Sequence, residues 1–196
     1  MRLRHLAYYL LLILVLAGLL HILGVLALPH LSSQTAWKRL APLGEANTMV
    51  KLSPPETGKP VLPMMAPDIR YAVCRFDLSD GPVRLITPTE NGLWLVALYT
   101  PAGENFYAVT AKDLVRPLFN LIIATENQTV IEEGVDAPVD ADQVAVVRSP
   151  TFEGLAVIRA PLEGQSEAAS ADAALANAYC GPYSEDGGQG VSPSRP

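Results

Sequence analysis

The chain opens on a run of apolar residues with scarcely a break, from residue 6 to residue 28 (LAYYLLLILVLAGLLHILGVLAL). Polar and apolar positions begin to alternate only after residue 70. The first run has no polar face, so it reads as a helix that cannot turn one side to water. At 1.5 Å per residue it spans about 34 Å, enough to cross a hydrocarbon core of about 30 Å with some tilt. Its eleven Leu, two Ile and two Val favour insertion by about 5 to 9 kcal/mol. Arg2 and Arg4 lie closer to this segment than Lys38 and Arg39 do, which predicts a cytoplasmic N-terminus and a body on the far side of the inner membrane, in the periplasm of a Gram-negative host. Tyr8 and Tyr9 suit the inner interface and Trp37 the outer one. A cleaved signal peptide, with a small-residue site at Val25-Leu26-Ala27, is the competing reading, but the apolar core is longer than the 7 to 15 residues or so that signal peptides carry. His21 reads as a tolerated polar residue within the span.

Pro29 is expected to end this helix, and Ser32 or Ser33 to cap a short second helix reaching about Leu40. Residues 42–68 are proline-rich with little periodicity and read as an extended lead-in. Half-buried alternation follows in 71–77, where Ala72, Cys74 and Phe76 share one face and Arg75 and Asp77 the other. The turn at Asp80-Gly81 leads to a return strand over 83–86. Residues 93–99 are apolar throughout and read as a central strand covered on both faces. Further strands are predicted at 105–109, 118–124, 143–148 and 155–160, with a helical turn near 112–116. Seven short strands at about ten-residue spacing predict a mainly β fold, an antiparallel sandwich or open barrel. The expected organisation is therefore an N-terminal anchor (1–28), a helix and proline-rich linker (29–68), a β-rich domain (69–163), and a last segment (164–196) with an Ala-rich helix near 166–178 and a disordered tail over 181–196.

Composition narrows the chemistry. Beyond the anchor, twelve Lys and Arg stand against twenty Asp and Glu, a balance near −8. Such a charge disfavours nucleic acid and flat contact with anionic lipid. About 135 residues remain to fold, enough for one core. Cys74 and Cys180 can pair in an oxidising compartment, or stand as a buried hydrophobe and a free tail thiol. The three histidines, His5, His21 and His30, all precede the folded body, which removes His-based triads, dyads and ordinary zinc sites from it.

Carboxylates are the remaining candidates. Glu132, Glu133, Asp136, Asp140 and Asp142 fall between two strands and offer oxygen ligands for a hard cation, although their spacing departs from an EF-hand loop and fits a solvated acidic loop better. Arg75, Asp77 and Asp80 flank the first hairpin, where turn chemistry explains them without a site. Trp94, Tyr99, Phe106 and Tyr107 line either a small apolar pocket or the core. Asn127-Gln128-Thr129 matches a glycosylation sequon. No residue is assigned a catalytic or cofactor-binding role.

Three stretches resemble a known bacterial family. MAPDIRYAVCRFDLSDGPVRL (65–85), WLVALYTPAGENFY (94–107) and VAVVRSPTFEGLAVIRA (144–160), in that order, are similar to the domain of unknown function numbered 1254. The resemblance covers about residues 28 to 180 and implies a β-rich, sandwich-like fold. Longer relatives carry a companion domain, number 1214, and a short anchored chain implies a split form whose companion lies on a separate polypeptide. The family brings no activity or catalytic residues to carry over. The expectation is a single-pass membrane protein whose β domain is a structural or binding subunit, docking that companion. The alternatives are a fragment of a carboxylate-based metal-dependent hydrolase, and a module that binds a small apolar ligand.

Overall fold

A computed structural model describes residues 2–31, 35–55, 61–62, 64–130 and 144–184. The chain divides into two units, Met1–Thr35 and Ala36–Pro196. The first is helix α1, Arg2–Leu31. Its stretch Leu3–Leu28 has a mean hydropathy of 2.8, long and apolar enough to cross a membrane. Pro29 does not stop the helix as expected. Helix α1 runs two residues past it, to Leu31.

The second unit is mainly β. Helix α2 (Ala36–Leu40) leads into strands β1 (Met49–Lys51), β2 (Ile69–Asp77), β3 (Val83–Pro88), β4 (Leu95–Tyr99), β5 (Asn105–Thr110), β6 (Leu118–Ala124), β7 (Ala145–Arg148) and β8 (Glu153–Pro161). Helix α3 (Ala168–Ala176) and strand β9 (Tyr179–Pro182) follow. The strands form a five-stranded sheet of order β1-β2-β8-β4-β5 and a four-stranded sheet of order β7-β6-β3-β9. This is an open sandwich and not a closed barrel. Pairing is antiparallel except between β6 and β7, which run parallel.

The pairing of β2 with β8 holds the first sheet together over nine residue pairs, from Ile69↔Pro161 to Asp77↔Glu153. Alternation sends Ala72, Cys74 and Phe76 of β2, with Ala156, Ile158 and Ala160 of β8, into the space between the sheets. There they meet Val83, Leu85, Phe119, Leu121 and Ile123 from the second sheet, and Ala171, Ala174 and Leu175 from α3. Each large side chain buried there contributes roughly 1.5–3 kcal/mol. Gly154 lies opposite Phe76 in the ladder. A Cβ there would overlap the Phe76 ring and stand 2.6 Å from the Tyr99 carbonyl oxygen, so only glycine admits the ring.

The other face of β2 and β8 is covered as well. Val73 and Leu155 are buried under Leu40 and Leu52, with Trp37, Val50, Val61, Leu62 and Met65 around them. The described part of the proline-rich lead-in is therefore a packed layer. It also contains β1, a strand of three residues too short to show alternation. Asn47 extends the pairing past β1. Its carboxamide accepts from the Asp77 N–H (2.8 Å) and donates to the Asp77 carbonyl (2.9 Å). Its φ of 57° is a value that asparagine tolerates better than most residues.

Two further expectations change. The strand read as beginning at residue 93 begins at Leu95, because the Asn91 side chain accepts from the Leu93 N–H (3.0 Å) and holds Leu93 in a turn, 58% exposed. At the other end, β9 takes in residues 181 and 182, which were expected in the disordered tail. It pairs with β3 from Val83↔Pro182 to Ile86↔Tyr179. Residues 185–196 lie outside the described residues. A disulfide joins Cys74 of β2 to Cys180 of β9, with Cα atoms 6.4 Å apart and a separation of 106 positions in sequence. It links the two sheets covalently.

Two outcomes follow from this packing. Gly154→Ala should lower stability by about 1–3 kcal/mol through overpacking, measured as a fall in the urea midpoint at unchanged slope. Cys180→Ala should cost about 2–5 kcal/mol, and a reductant should bring the wild-type protein to the same midpoint as the variant.

Candidate functional site

Of the residues at the first hairpin, Arg75 and Asp77 are engaged by neighbouring backbone or rings. Arg75 donates from Nη2 to the Gly44 carbonyl (3.0 Å), and its guanidinium sits 4.9 Å from the Trp37 ring centroid. Such a cation–π contact is worth about 0.5–1 kcal/mol at partly exposed sites. Trp37, expected at a membrane interface, is thus packed on the β domain. The Asp77 carboxylate accepts from the Ser79 N–H (2.9 Å). The Ser79 side chain first, and its backbone N–H second, hold the Asp77 carboxyl below the ordinary aspartate range. Asp80 and Gly81 form the exposed turn, with Gly81 at φ 139°. The constellation anchors the lead-in and shapes a turn.

The four aromatic candidates do not share one pocket. Trp94 is fully buried between the sheets, and Phe106 and Tyr107 pack against that same core. Tyr99 belongs to the layer on the opposite face of the five-stranded sheet. Partial burial raises the Tyr107 phenol above its usual pKa. A cleft beside Trp94, lined also by Glu90, Asn91, Pro161, Glu167, Ser170 and Ala171, holds about 100 Å³. That is small against the 300–1,000 Å³ or so of pockets that take drug-sized ligands.

The acidic candidates Glu132, Glu133, Asp136, Asp140 and Asp142 lie outside the described residues. Among the described residues, no group of three His, Cys, Asp or Glu is placed to hold a metal ion. Asn127 is exposed in the turn after β6, and the Gln128 side chain closes that turn by donating to the Leu78 carbonyl (2.6 Å) and accepting from the Thr125 N–H (3.0 Å). Arg148 adds two bonds, to the Thr125 carbonyl (2.9 Å) and the Gln128 carbonyl (2.8 Å). His5, His21 and His30 all belong to α1.

One polar group was not singled out from the sequence. On the outer face of the four-stranded sheet, Arg84 of β3 donates from Nε to Asn120 Oδ1 of β6 (3.1 Å). Asn120 is 5% exposed. Across the other ladder Arg84 faces Gly181 of β9, and the Tyr179 phenol occupies the place that a side chain at 181 would take. Alternation within β3 put Arg84 on the outer face, but its neighbours come from strands 36 and 97 positions away and left no local signal.

Two facing sheets, crossed by a disulfide and closed at one end by a short helix, define a small sandwich domain of the β class. The family described as Protein of unknown function (DUF1254) matches residues 46–182, and the chain belongs to that family. Among solved structures, the VPA0106 protein from Vibrio parahaemolyticus is similar in fold, with a TM-score of 0.56 at 15% identity, covering 82% of this chain and 38% of that one. An uncharacterized protein from Burkholderia cenocepacia aligns at 13% identity and a TM-score of 0.44, covering 67% of this chain and 35% of that one. This chain thus spans less than two fifths of the length of either. No curated protein matches.

Because its folded-state pKa is depressed, Asp77 stabilises the domain above the unfolded value of about 3.9, and that contribution is lost as pH falls through the lower folded value. Ser79→Ala should therefore destabilise the domain at pH 6, and the gap from wild type should close as pH falls below about 4. Urea unfolding at the two pH values measures it.

Proposed function

We propose that this protein is a tethered binding subunit: α1 stays in the inner membrane, and the β domain stands on its non-cytoplasmic side and docks a second polypeptide. The observation that carries the reading is the stretch Leu3–Leu28, with its mean hydropathy of 2.8. A helix apolar on every face needs a lipid environment around it. Arg2 and Arg4 before it favour retention of that end in the cytoplasm. The Cys74–Cys180 bond supports the same placement, because disulfides persist in oxidising compartments.

The partner is proposed to carry the companion domain numbered 1214. The V. parahaemolyticus chain extends well beyond the part that resembles this one, which supports a division of labour between this domain and further polypeptide. In the split form, that further polypeptide arrives as a separate chain.

Alkaline phosphatase, active only outside the cytoplasm, should be active when fused after Pro196, and the fused protein should stay with the membrane pellet through a carbonate wash. Cytoplasmic activity of a reporter at that position would overturn the orientation, and a soluble product lacking its first 27 residues or so would identify a cleaved signal peptide. Mild detergent extraction of the tagged chain should recover one stoichiometric partner; recovery of the chain alone after in-cell crosslinking would remove the docking role.

A further inference from the structure

We propose that the outer face of the four-stranded sheet carries an oxyanion site, made by Arg84, Asn120 and Tyr179, for the carboxylate or phosphate group of a small soluble molecule. This goes beyond the tethered-subunit reading and does not depend on it. The cations of the β domain differ in how they are used. Lys51 and Arg70 both pair with Asp172 of α3, at 3.4 and 3.6 Å. Arg75 is held by the Gly44 carbonyl and the Trp37 ring, and Arg148 by two turn carbonyls. Arg84 is bonded only through Nε, to a neutral amide oxygen. Among the described residues, its two Nη groups donate no hydrogen bond and no carboxylate offsets its charge.

The neighbours are donors too. An arginine has no acceptor, so the Asn120 amide must turn its oxygen to Arg84 and its NH₂ away. That orientation is fixed by chemistry. Asn120 is 5% exposed on a sheet face that also carries Ile122, Ala124 and Val146, and burying an amide there has a cost that its bond to Arg84 offsets. Tyr179 is 41% exposed. Because residue 181 is glycine, the Tyr179 ring lies over it, and directly opposed residues of a ladder stand about 4.5–5.5 Å apart. The phenol is therefore beside the Arg84 stem. A guanidinium fork and a partly exposed phenol on neighbouring strands form a cluster of donors, with the buried Asn120 amide holding the fork through Nε. A planar carboxylate or a tetrahedral phosphate suits the fork end-on, with the phenol as a further donor. In a domain of net negative charge, such a cluster selects an anion by local hydrogen bonds and not by the overall field.

The test is a titration of full-length ¹⁵N-labelled protein in a non-ionic detergent at constant ionic strength, reading the backbone amides of residues 84, 120 and 179. Sodium phosphate or sodium acetate should shift them saturably, with half-saturation at or below about 10 mM, and sodium chloride should not. Arg84→Lys should weaken binding at least ten-fold and Tyr179→Phe a few-fold, with amides in β2 and β8 unmoved. Shifts that never saturate, that chloride reproduces, or that Arg84→Lys leaves intact would overturn the proposal. Should Arg84→Lys perturb the β2 and β8 amides, Tyr179→Phe decides alone: unchanged affinity overturns the proposal and weakened affinity supports it.

Discussion

The second unit depends on the burial of β2 and β8 on both faces. A strand pair covered on one side would form half of an ordinary sandwich, and here both sides are covered. Phe76 and its inward neighbours meet the four-stranded sheet, while Val73 and Leu155 are sealed by the segment before the first long strand. From this arrangement follow the glycine opposite Phe76, the carboxamide of Asn47 standing in for a strand residue, and the engagement of Arg75 with Trp37. The sheet has little freedom to shift register, because a one-residue slip would turn Cys74 and Phe76 outward and Arg75 inward.

The C-terminal segment performs the complementary task. Helix α3 fills one end of the core with Ala171, Ala174 and Leu175. Its Asp172 receives Lys51 from β1 and Arg70 from β2, so a single carboxylate gathers the helix and two strands. Strand β9 then borders β3, and its cysteine reaches across to β2. The two ends of the domain's chain thus contribute layers that its middle needs, consistent with a family match that runs from residue 46 to residue 182.

Much of the sandwich was legible in the residue pattern, because alternation in 71–77 and apolar runs at 118–124 and 155–160 are direct consequences of one-sided or two-sided burial. What escaped was structure made by pairing alone. Strand β1 has three residues and cannot show a period. Strand β9 reads Tyr-Cys-Gly-Pro, a composition that locally favours a turn, and it is a strand because β3 lies beside it. The proline-rich lead-in looked like linker because its cover is supplied residue by residue, through Leu52, Val61, Leu62 and Met65, with the three residues of β1 as its one strand. The site was less legible than the fold. Arg75, Asp77 and Trp94 stood out by type and are absorbed by structure, whereas Arg84 was unremarkable until β6 and β9 brought Asn120 and Tyr179 to its sides.

The parallel pairing of β6 and β7 limits how this chain can vary in length. Antiparallel neighbours can be joined by a two-residue turn, but parallel ones must be linked by a stretch that travels back along the whole strand before the next begins, a dozen residues or more. The polypeptide between Ala124 and Ala145 therefore cannot be shortened to a hairpin without inverting β7. Loss of that pairing would leave Leu121, Ile122, Ile123 and Ala124 of β6 without the strand that borders them.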